Sequence, residues 1–405
     1  MKYIVILGDG MADYPLDRFN GLTALGFANT PNFDYIAANG TLGLARTIPE
    51  ELPPGSDTAN MSVLGYDPRK YYSGRSPFEA ASLGVDLSPE DVSFRCNLVT
   101  LSEDDQYQAK TMTDYCSGEI STAEAGELIK EVSRRMATEA ISFYRGFNYR
   151  HLMVWHGAKG NWDLTPPHDI SGKVIGPYLP RGNGSHVIRS MMEESYQFLQ
   201  KHPVNLERVK RGLNPANSIW IWGAGKKPLL PTFAQKYGLT GAVISAVDLI
   251  KGIGLYAGLE VLEVEGATGN IDTNYEGKRE AALSAVLNGN DFVYIHIEAP
   301  DECAHRFEHE NKVKAIELID QLVAGPLLDR LRQSGEEFSI LLVTDHATPL
   351  SLGTHTHDPV PFAIYRSTDC QSKPGIAFTE QHAAGTGLIF EEGFRLMDYF
   401  LKAQQ

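Results

Sequence analysis

Asp291-Phe292-Val293-Tyr294-Ile295-His296-Ile297-Glu298-Ala299-Pro300-Asp301-Glu302-Cys303-Ala304-His305 is the stretch on which the fold turns. Asp291–Ile297 is a short, nearly continuous apolar run, which reads as a buried strand. Glu298-Ala299-Pro300 then turns the chain, and Asp301 and His305 follow as hard metal ligands. Three other places repeat this arrangement. Tyr3–Leu7 is a β-branched run whose C-terminal loop carries Asp9, and Phe338–Thr344 runs directly into Asp345-His346. His355-Thr356-His357-Asp358 lies in the next loop. Ligands of open α/β sheets bind at the carboxyl ends of the strands, so residues far apart in sequence are expected to meet there.

Strands alternate with helices on both sides of this stretch. Thr30-Pro31 opens a helix over 32–39, with Pro in its first turn. Ser218–Trp222, Ala242–Ala246 and Val360–Arg366 read as further strands, with helices over Val247–Gly258 and Val313–Ser334. The alternation implies an α/β fold: a mostly parallel sheet with helices on both faces. Between about residues 95 and 215 the pattern changes. Short strands over 93–112, a helix over Ser121–Ala140, a strand over Tyr149–Trp155 and a long polar loop over Gly157–Pro180 suggest a smaller inserted α+β domain. The expected organisation is a catalytic domain of residues 1–94 and 216–405 around a substrate domain of residues 95–215.

The chain has 405 residues, enough for two or three domains, and its 36 Lys+Arg against 51 Asp+Glu give a net charge of −15. No basic run exceeds two residues, which argues against a nucleic-acid partner. No apolar run approaches the roughly eighteen residues of a membrane helix. The N-terminal apolar run is too short for a signal peptide. Cys96, Cys116, Cys303 and Cys370 lack CxxC spacing, which suits a reducing cytoplasm and argues against both a disulfide framework and a cysteine-based zinc site.

Asp9, Asp301, His305, Asp345, His346 and His355 are too many ligands for one open tetrahedral site and about right for two ions. Mixed carboxylate and imidazole ligands suit Mn²⁺ first, with Zn²⁺ or Mg²⁺ as alternatives. Paired ions stabilise the attacking and leaving oxygens of a phosphoryl displacement. The nucleophile is sought in Pro53-Pro54-Gly55-Ser56-Asp57-Thr58-Ala59, where Ser56 stands at a helix start. Backbone N–H groups there face an incoming phosphate. The plainer reading is an N-cap serine, which the surrounding ligand pattern disfavours.

With these residues in place a resemblance emerges. Gly8-Asp9-Gly10-Met11, Pro54–Ala59, Leu64-Gly65-Tyr66-Asp67-Pro68, Gly74-Arg75-Ser76-Pro77-Phe78-Glu79-Ala80, Ala299-Pro300-Asp301-Glu302 with His305, Thr344-Asp345-His346, and His355 before Pro359-Val360-Pro361 resemble the cofactor-independent phosphoglycerate mutases. The match is to their archaeal-type branch in the alkaline phosphatase superfamily, and it covers nearly the whole chain. The resemblance implies one metal on Asp9, Ser56, Asp345 and His346 and another on Asp301, His305 and His355, with His357 as the alternative to His355. It also implies a phosphoserine intermediate on Ser56, and an insert that closes over the metals to exclude water. The implied reaction interconverts 3- and 2-phosphoglycerate.

The match departs from the family in one place. The archaeal-type mutases are similar to one another in an Arg-rich stretch of the insert, whereas Thr113-Asp114-Tyr115-Cys116-Ser117-Gly118-Glu119 has no Arg. His156, Asp163, His168 and Asp169 in the long loop would suit an ammonium-bearing substrate, as in a bacterial branch proposed to act as homoserine kinases. Asp163 reads as a plain surface residue. Arg95, Lys226 and Lys251 are the candidate phosphate contacts. Gly223-Ala224-Gly225-Lys226-Lys227 lacks the first Gly and the Ser/Thr of a P-loop. Gly252 and Gly254 fit a relaxed dinucleotide pattern but fall within a helix, where packing explains them. Ser56 lacks the Pro and Arg that follow a sulfatase nucleophile. The alternative of another class is a non-enzymatic metal-binding protein, whose activity would survive loss of metal.

Overall fold

The computed structural model describes residues 1–369 and 372–402, so Cys370 lies outside the described residues. The chain divides into two compact units, Met1–Tyr72 with Leu229–Gln405, and Ser73–Pro228.

The first unit is built on an eight-stranded sheet. Its order is Glu260–Val261, Gly241–Ile244, Phe292–Ile297, Lys2–Gly8, Phe338–Val343, Val360–Arg366, Thr41–Ala45 and Ile389–Phe390. All neighbours are parallel except the two pairings made by Val360–Arg366. Val5 lies opposite Tyr294 on one side and Leu341 on the other. Ile4, Val5, Ile6 and Leu7 are all fully buried, because each face of this central strand is covered. Ile4, Ile6, Val293 and Ile295 face a core shared with the helices Pro31–Ala38, Tyr275–Leu287 and His309–Leu318. On the opposite face Phe233 stacks on Phe292 at 4.4 Å, Tyr3 meets Phe400, and Tyr294 reaches the helix Ser56–Val63 through Asn60. Gly254 lies in the helix Asp248–Tyr256, where a Cβ would sit 2.4 Å from Val243 Cγ1, so its smallness serves helix–sheet packing.

The long helix expected over Val313–Ser334 starts earlier, at His309, and is interrupted. A π-helical segment, Ile319–Ala324, separates His309–Leu318 from Gly325–Ser334. Pro326 is the cause: it has no N–H for the carbonyl of Leu322, which accepts from Arg279 Nη1 at 2.8 Å instead. The widened turn carries the buried Asp320, which accepts from the Phe33 N–H at 2.7 Å and Asn32 Nδ2 at 2.8 Å. It thereby satisfies donors in the first turn of Pro31–Ala38. Burial pushes the Asp320 carboxyl up to about 6. The folded chain therefore binds this proton more tightly than the unfolded chain. The resulting stability is present below the ordinary carboxylate range and is lost as pH rises through about 6. Between pH 7.5 and pH 5 the wild type should gain about 1 kcal/mol over Asp320→Asn, measured as the difference of their denaturant-unfolding free energies at each pH.

The second unit departs from the expected boundaries. Its sheet centres on Val92–Leu101, a single ten-residue strand buried at every position rather than several short ones. This strand is flanked by Arg150–Trp155, which also pairs with Ile141–Tyr144, and by Ser218–Lys226; Met112–Asp114 pairs with its far end. All pairings are antiparallel. Ser218–Lys226 continues past Trp222 through Gly223-Ala224-Gly225 and pairs with Val92–Val99, so it belongs to this unit and not to the large sheet. Ser76, at the head of the helix Ser76–Ser82, bonds the Ser93 carbonyl at 2.9 Å. Cuts at 95 and 215 would sever these ladders, and the unit instead runs from Ser73 to Pro228. The helix expected over Ser121–Ala140 spans Thr122–Met136, capped by Ser121. It packs with Ser185–Leu199 on the unit's own core. The long loop is pinned by pairing of Trp162–Asp163 with Arg181–Gly182.

Candidate active site

In the first unit three adjacent parallel strands end in acids. Lys2–Gly8 runs into Asp9 and Phe338–Val343 into Thr344-Asp345-His346, while Asp301 lies in the first turn of Ala299–His305 after Phe292–Ile297. Two donor groups form there: Asp9, Asp345 and His346, and Asp301, His346 and His355. His346 belongs to both. Its Nε2 lies 3.4 Å from Asp9 Oδ1, 3.3 Å from Asp345 Oδ2 and 3.1 Å from Ser56 Oγ. His355 Nε2 lies 3.4 Å from Asp301 Oδ1. His305 Nε2 is 3.0 Å from both Asp301 Oδ2 and His355 Nε2. His357 is not in the group: its Nε2 meets the Leu52 carbonyl at 2.8 Å.

Ser56 is the first residue of Ser56–Val63, but it does not cap that helix. Gly55 is the N-cap, with no side-chain cap bond, and the Ser56 hydroxyl faces His346 instead. Several groups fix the ligands. Asn60 Nδ2 donates to Asp345 Oδ2 at 2.8 Å and is itself held by Tyr294 through Oδ1. The N–H of Gly10 and of His346 donate to Asp345 Oδ1 at 3.1 and 2.9 Å. Gly10 has φ +61°, and a Cβ there would lie 2.6 Å from Asp301 Oδ1, so only glycine lets the backbone pass. His305 Nδ1 donates to the Gly353 carbonyl at 2.9 Å, which orients the ring so that Nε2 faces Asp301 and His355.

These donors fit divalent cations. His296 Nε2 stands 2.9 Å from Asp9 Oδ2, while Asp9 Oδ1 is buried with no hydrogen-bond partner. One oxygen is oriented and the other is left for a ligand. Burial, with the Asp345 and Asp301 carboxylates nearby, holds the Asp9 carboxyl well above its ordinary range, and burial raises Asp345 too. Burial works against ionisation of Asp301 as well, but the hydrogen bonds of His305 and His355 outweigh it and hold its carboxyl well below the usual range. The Asp301 contact lifts His305 to about 9, and burial lowers His346. Carboxylates crowded closely enough to raise Asp9 well above its ordinary range are the electrostatics that a cation relieves.

In the second unit the expected substrate residues do not all gather. Arg95 is almost fully buried, pairs with Glu79 at 3.0 Å, and stacks its guanidinium 4.3 Å from the Trp222 ring. His168 packs edge-on to Trp222 at 5.4 Å and to Tyr115 at 6.0 Å, and Asp169 lies 3.5 Å from its Nε2. His156 is drawn to Asp91 at 3.2 Å, beyond the Trp155 end of its strand. Lys226 is exposed at the end of Ser218–Lys226. Lys251 belongs to the first unit, where it pairs with Glu263 at 2.7 Å. Sequence patterning marked neither Arg75, within the Gly74–Ala80 stretch, nor Arg150 as a substrate contact. Arg75 pairs with Glu79 at 3.2 Å, and both arginines lie close enough to depress the Arg95 pKa after burial. His296 went unmarked as well, although a histidine inside a wholly apolar buried strand was a visible signal.

Residues 37–205 match the family model for 2,3-bisphosphoglycerate-independent phosphoglycerate mutase. The chain is 50% identical over 408 residues to the protein of that name from Methanosarcina barkeri, covering 100% of both chains. Among solved structures, a Pyrococcus horikoshii protein is 30% identical with a TM-score of 0.82, covering 99% of this chain and 96% of that one. The cofactor-independent phosphoglycerate mutase from Thermoplasma acidophilum is 28% identical with a TM-score of 0.65, covering 100% of both chains.

Proposed function

The chain belongs to the 2,3-bisphosphoglycerate-independent phosphoglycerate mutases, and we propose that it interconverts 3- and 2-phosphoglycerate through a phosphoserine on Ser56. The observation that carries this reading is the Ser56 hydroxyl, 3.1 Å from the one histidine shared by both donor groups. Asp9, Ser56, Asp345 and His346 would hold one divalent cation, and Asp301, His305 and His355 the other, with Mn²⁺ suited to this mixed set. Bound there, the cations supply positive charge to the phosphoryl oxygens and acidify a ligated hydroxyl. Ser56 Oγ forms the new P–O bond as the bond to the C3 oxygen of the glycerate breaks. The glycerate then accepts the group back on its C2 oxygen, which restores the serine. A cytoplasmic location belongs to the same proposal and is supported by the free thiols of Cys96, Cys116 and Cys303. Among the described residues no helix is long and apolar enough to cross a membrane.

The second unit is proposed to bind the substrate. Arg95, stacked on Trp222, and the neighbouring Arg75 and Arg150 suit a carboxylate or phosphate and oppose an ammonium group, which favours phosphoglycerate over homoserine. Asp163 and Asp169, the acids that suggested an ammonium partner, are exposed on the surface. Arg95→Lys keeps the charge but loses the planar fork and its stacking, and should raise KM for 3-phosphoglycerate about tenfold with kcat changed much less. The deciding experiment supplies Mn²⁺ with 3-phosphoglycerate alone, or with homoserine and ATP. Turnover of the first without nucleotide is expected, and turnover only with ATP rejects the mutase.

A further inference from the structure

We propose that Thr348 is a positioning residue whose hydroxyl ties the two donor groups together and holds His346 in the tautomer that leaves the Nε2 lone pair free. The inference rests on reading His346 as a metal ligand. Thr348 is fully buried two residues beyond His346. Its Oγ1 donates to Asp301 Oδ1 at 2.5 Å and lies 3.1 Å from His346 Nδ1. A carboxylate only accepts, so the single hydroxyl proton is committed to Asp301. Oγ1 can then meet Nδ1 only as an acceptor, which places the imidazole proton on Nδ1. The lone pair of Nε2 is thereby directed at the space among Ser56, Asp9 and Asp345. One hydroxyl thus connects Asp301, in one donor group, to the histidine shared by both.

The hydroxyl is held in that position from behind. The Thr348 N–H donates to the Ala12 carbonyl at 3.2 Å, and its own carbonyl accepts from Lys312 Nζ at 2.9 Å. Lys312 is wholly buried and also donates to Asp13 Oδ2 at 2.8 Å and to the Ala12 carbonyl at 3.4 Å. This buried ammonium clasps the loop after Asp9 to the loop after His346. From the front, a Cβ on Gly10 would lie 2.6 Å from Thr348 Oγ1, so the backbone closes over the hydroxyl–carboxylate pair. Partners that orient a ligating imidazole in this way tune metal affinity more than fold.

Nitrogen NMR on histidine-labelled, metal-free protein reads the tautomer directly, with His346 assigned by its loss in His346→Gln. His346 should be the Nδ1–H form in the wild type and in Thr348→Ser, and should shift towards the Nε2–H form in Thr348→Val. Calorimetric titration with Mn²⁺ should show Thr348→Val binding 10- to 100-fold more weakly, and Thr348→Ser within about threefold of wild type. An Nε2–H tautomer in the wild type, or Thr348→Val binding within about threefold of it, overturns the proposal. Should Thr348→Val fail to fold, the wild-type and Thr348→Ser spectra decide. The tautomer is read without metal or substrate, so a wild type that does not convert 3-phosphoglycerate rejects the mutase and leaves this answer separate.

Discussion

Ser56→Ala should lower turnover of 3-phosphoglycerate by at least about four orders of magnitude, because the residue proposed to carry the phosphoryl group has no substitute. The variant should fold like the wild type. Ser56 is not the cap of its helix, since Gly55 holds that position and no side-chain cap bond exists to lose. Alanine is the best helix former, so the substitution costs the helix nothing. Among the described residues, the side-chain hydrogen bond given up is the 3.1 Å approach to His346 Nε2. Metal binding should largely persist, because Asp9, Asp345 and His346 stay in place and are oriented by other groups. A variant with unchanged melting and Mn²⁺ binding but no turnover fixes the role of the hydroxyl. Activity within tenfold of the wild type removes Ser56 as nucleophile.

What could be read from the chain follows from how local each signal is. The strands that carry Asp9, Asp301 and Asp345 are short apolar runs buried on both faces, and a run of that kind ends where polar ligands begin. The placement of these three acids was therefore legible from the strand ends, whereas Ser56 and His355 needed the helix start, the loop and the family resemblance. The limits of the second unit were not. The pairing of Val92–Val99 with Ser218–Lys226 joins segments separated by the whole unit, and no local pattern encodes it. The same holds for the arginines. They were sought in one contiguous stretch, 113–119, whereas Arg75, Arg95 and Arg150 come from three separate elements. The groups behind the ligands, Asn60, Thr348 and Lys312, are ordinary residues in sequence and gain meaning only through distances. The break at Ile319–Ala324 was half legible, because Pro326 was visible within the expected helix while the acceptor role of Asp320 was not.

Chelation should abolish turnover, and Mn²⁺ should restore it, but the more telling readout is stability. A ligand that binds only the folded chain adds about 2.7 kcal/mol when its free concentration is a hundred times its Kd. The wild type should therefore melt several degrees higher in Mn²⁺ than in chelator. Asp9→Asn should reverse this pattern. In the metal-free chain Asp9 Oδ1 is a buried oxygen without a partner, 3.4 Å from His346 Nε2, and it is crowded by Asp345 and Asp301. An amide placed there keeps an oxygen for His296 and turns its nitrogen towards the His346 lone pair, so an oxygen without a partner gives way to a hydrogen-bond donor. Removing the unsatisfied group should make metal-free Asp9→Asn about 1–3 kcal/mol more stable than metal-free wild type. The same variant should lose most of the stabilisation by Mn²⁺ and nearly all turnover, since a neutral amide is a poor ligand. A chain that is steadier without its metal and inert with it would mean that the strain at Asp9 is maintained for the cation. Equal Mn²⁺-dependent shifts in the two proteins would mean that the ion binds elsewhere.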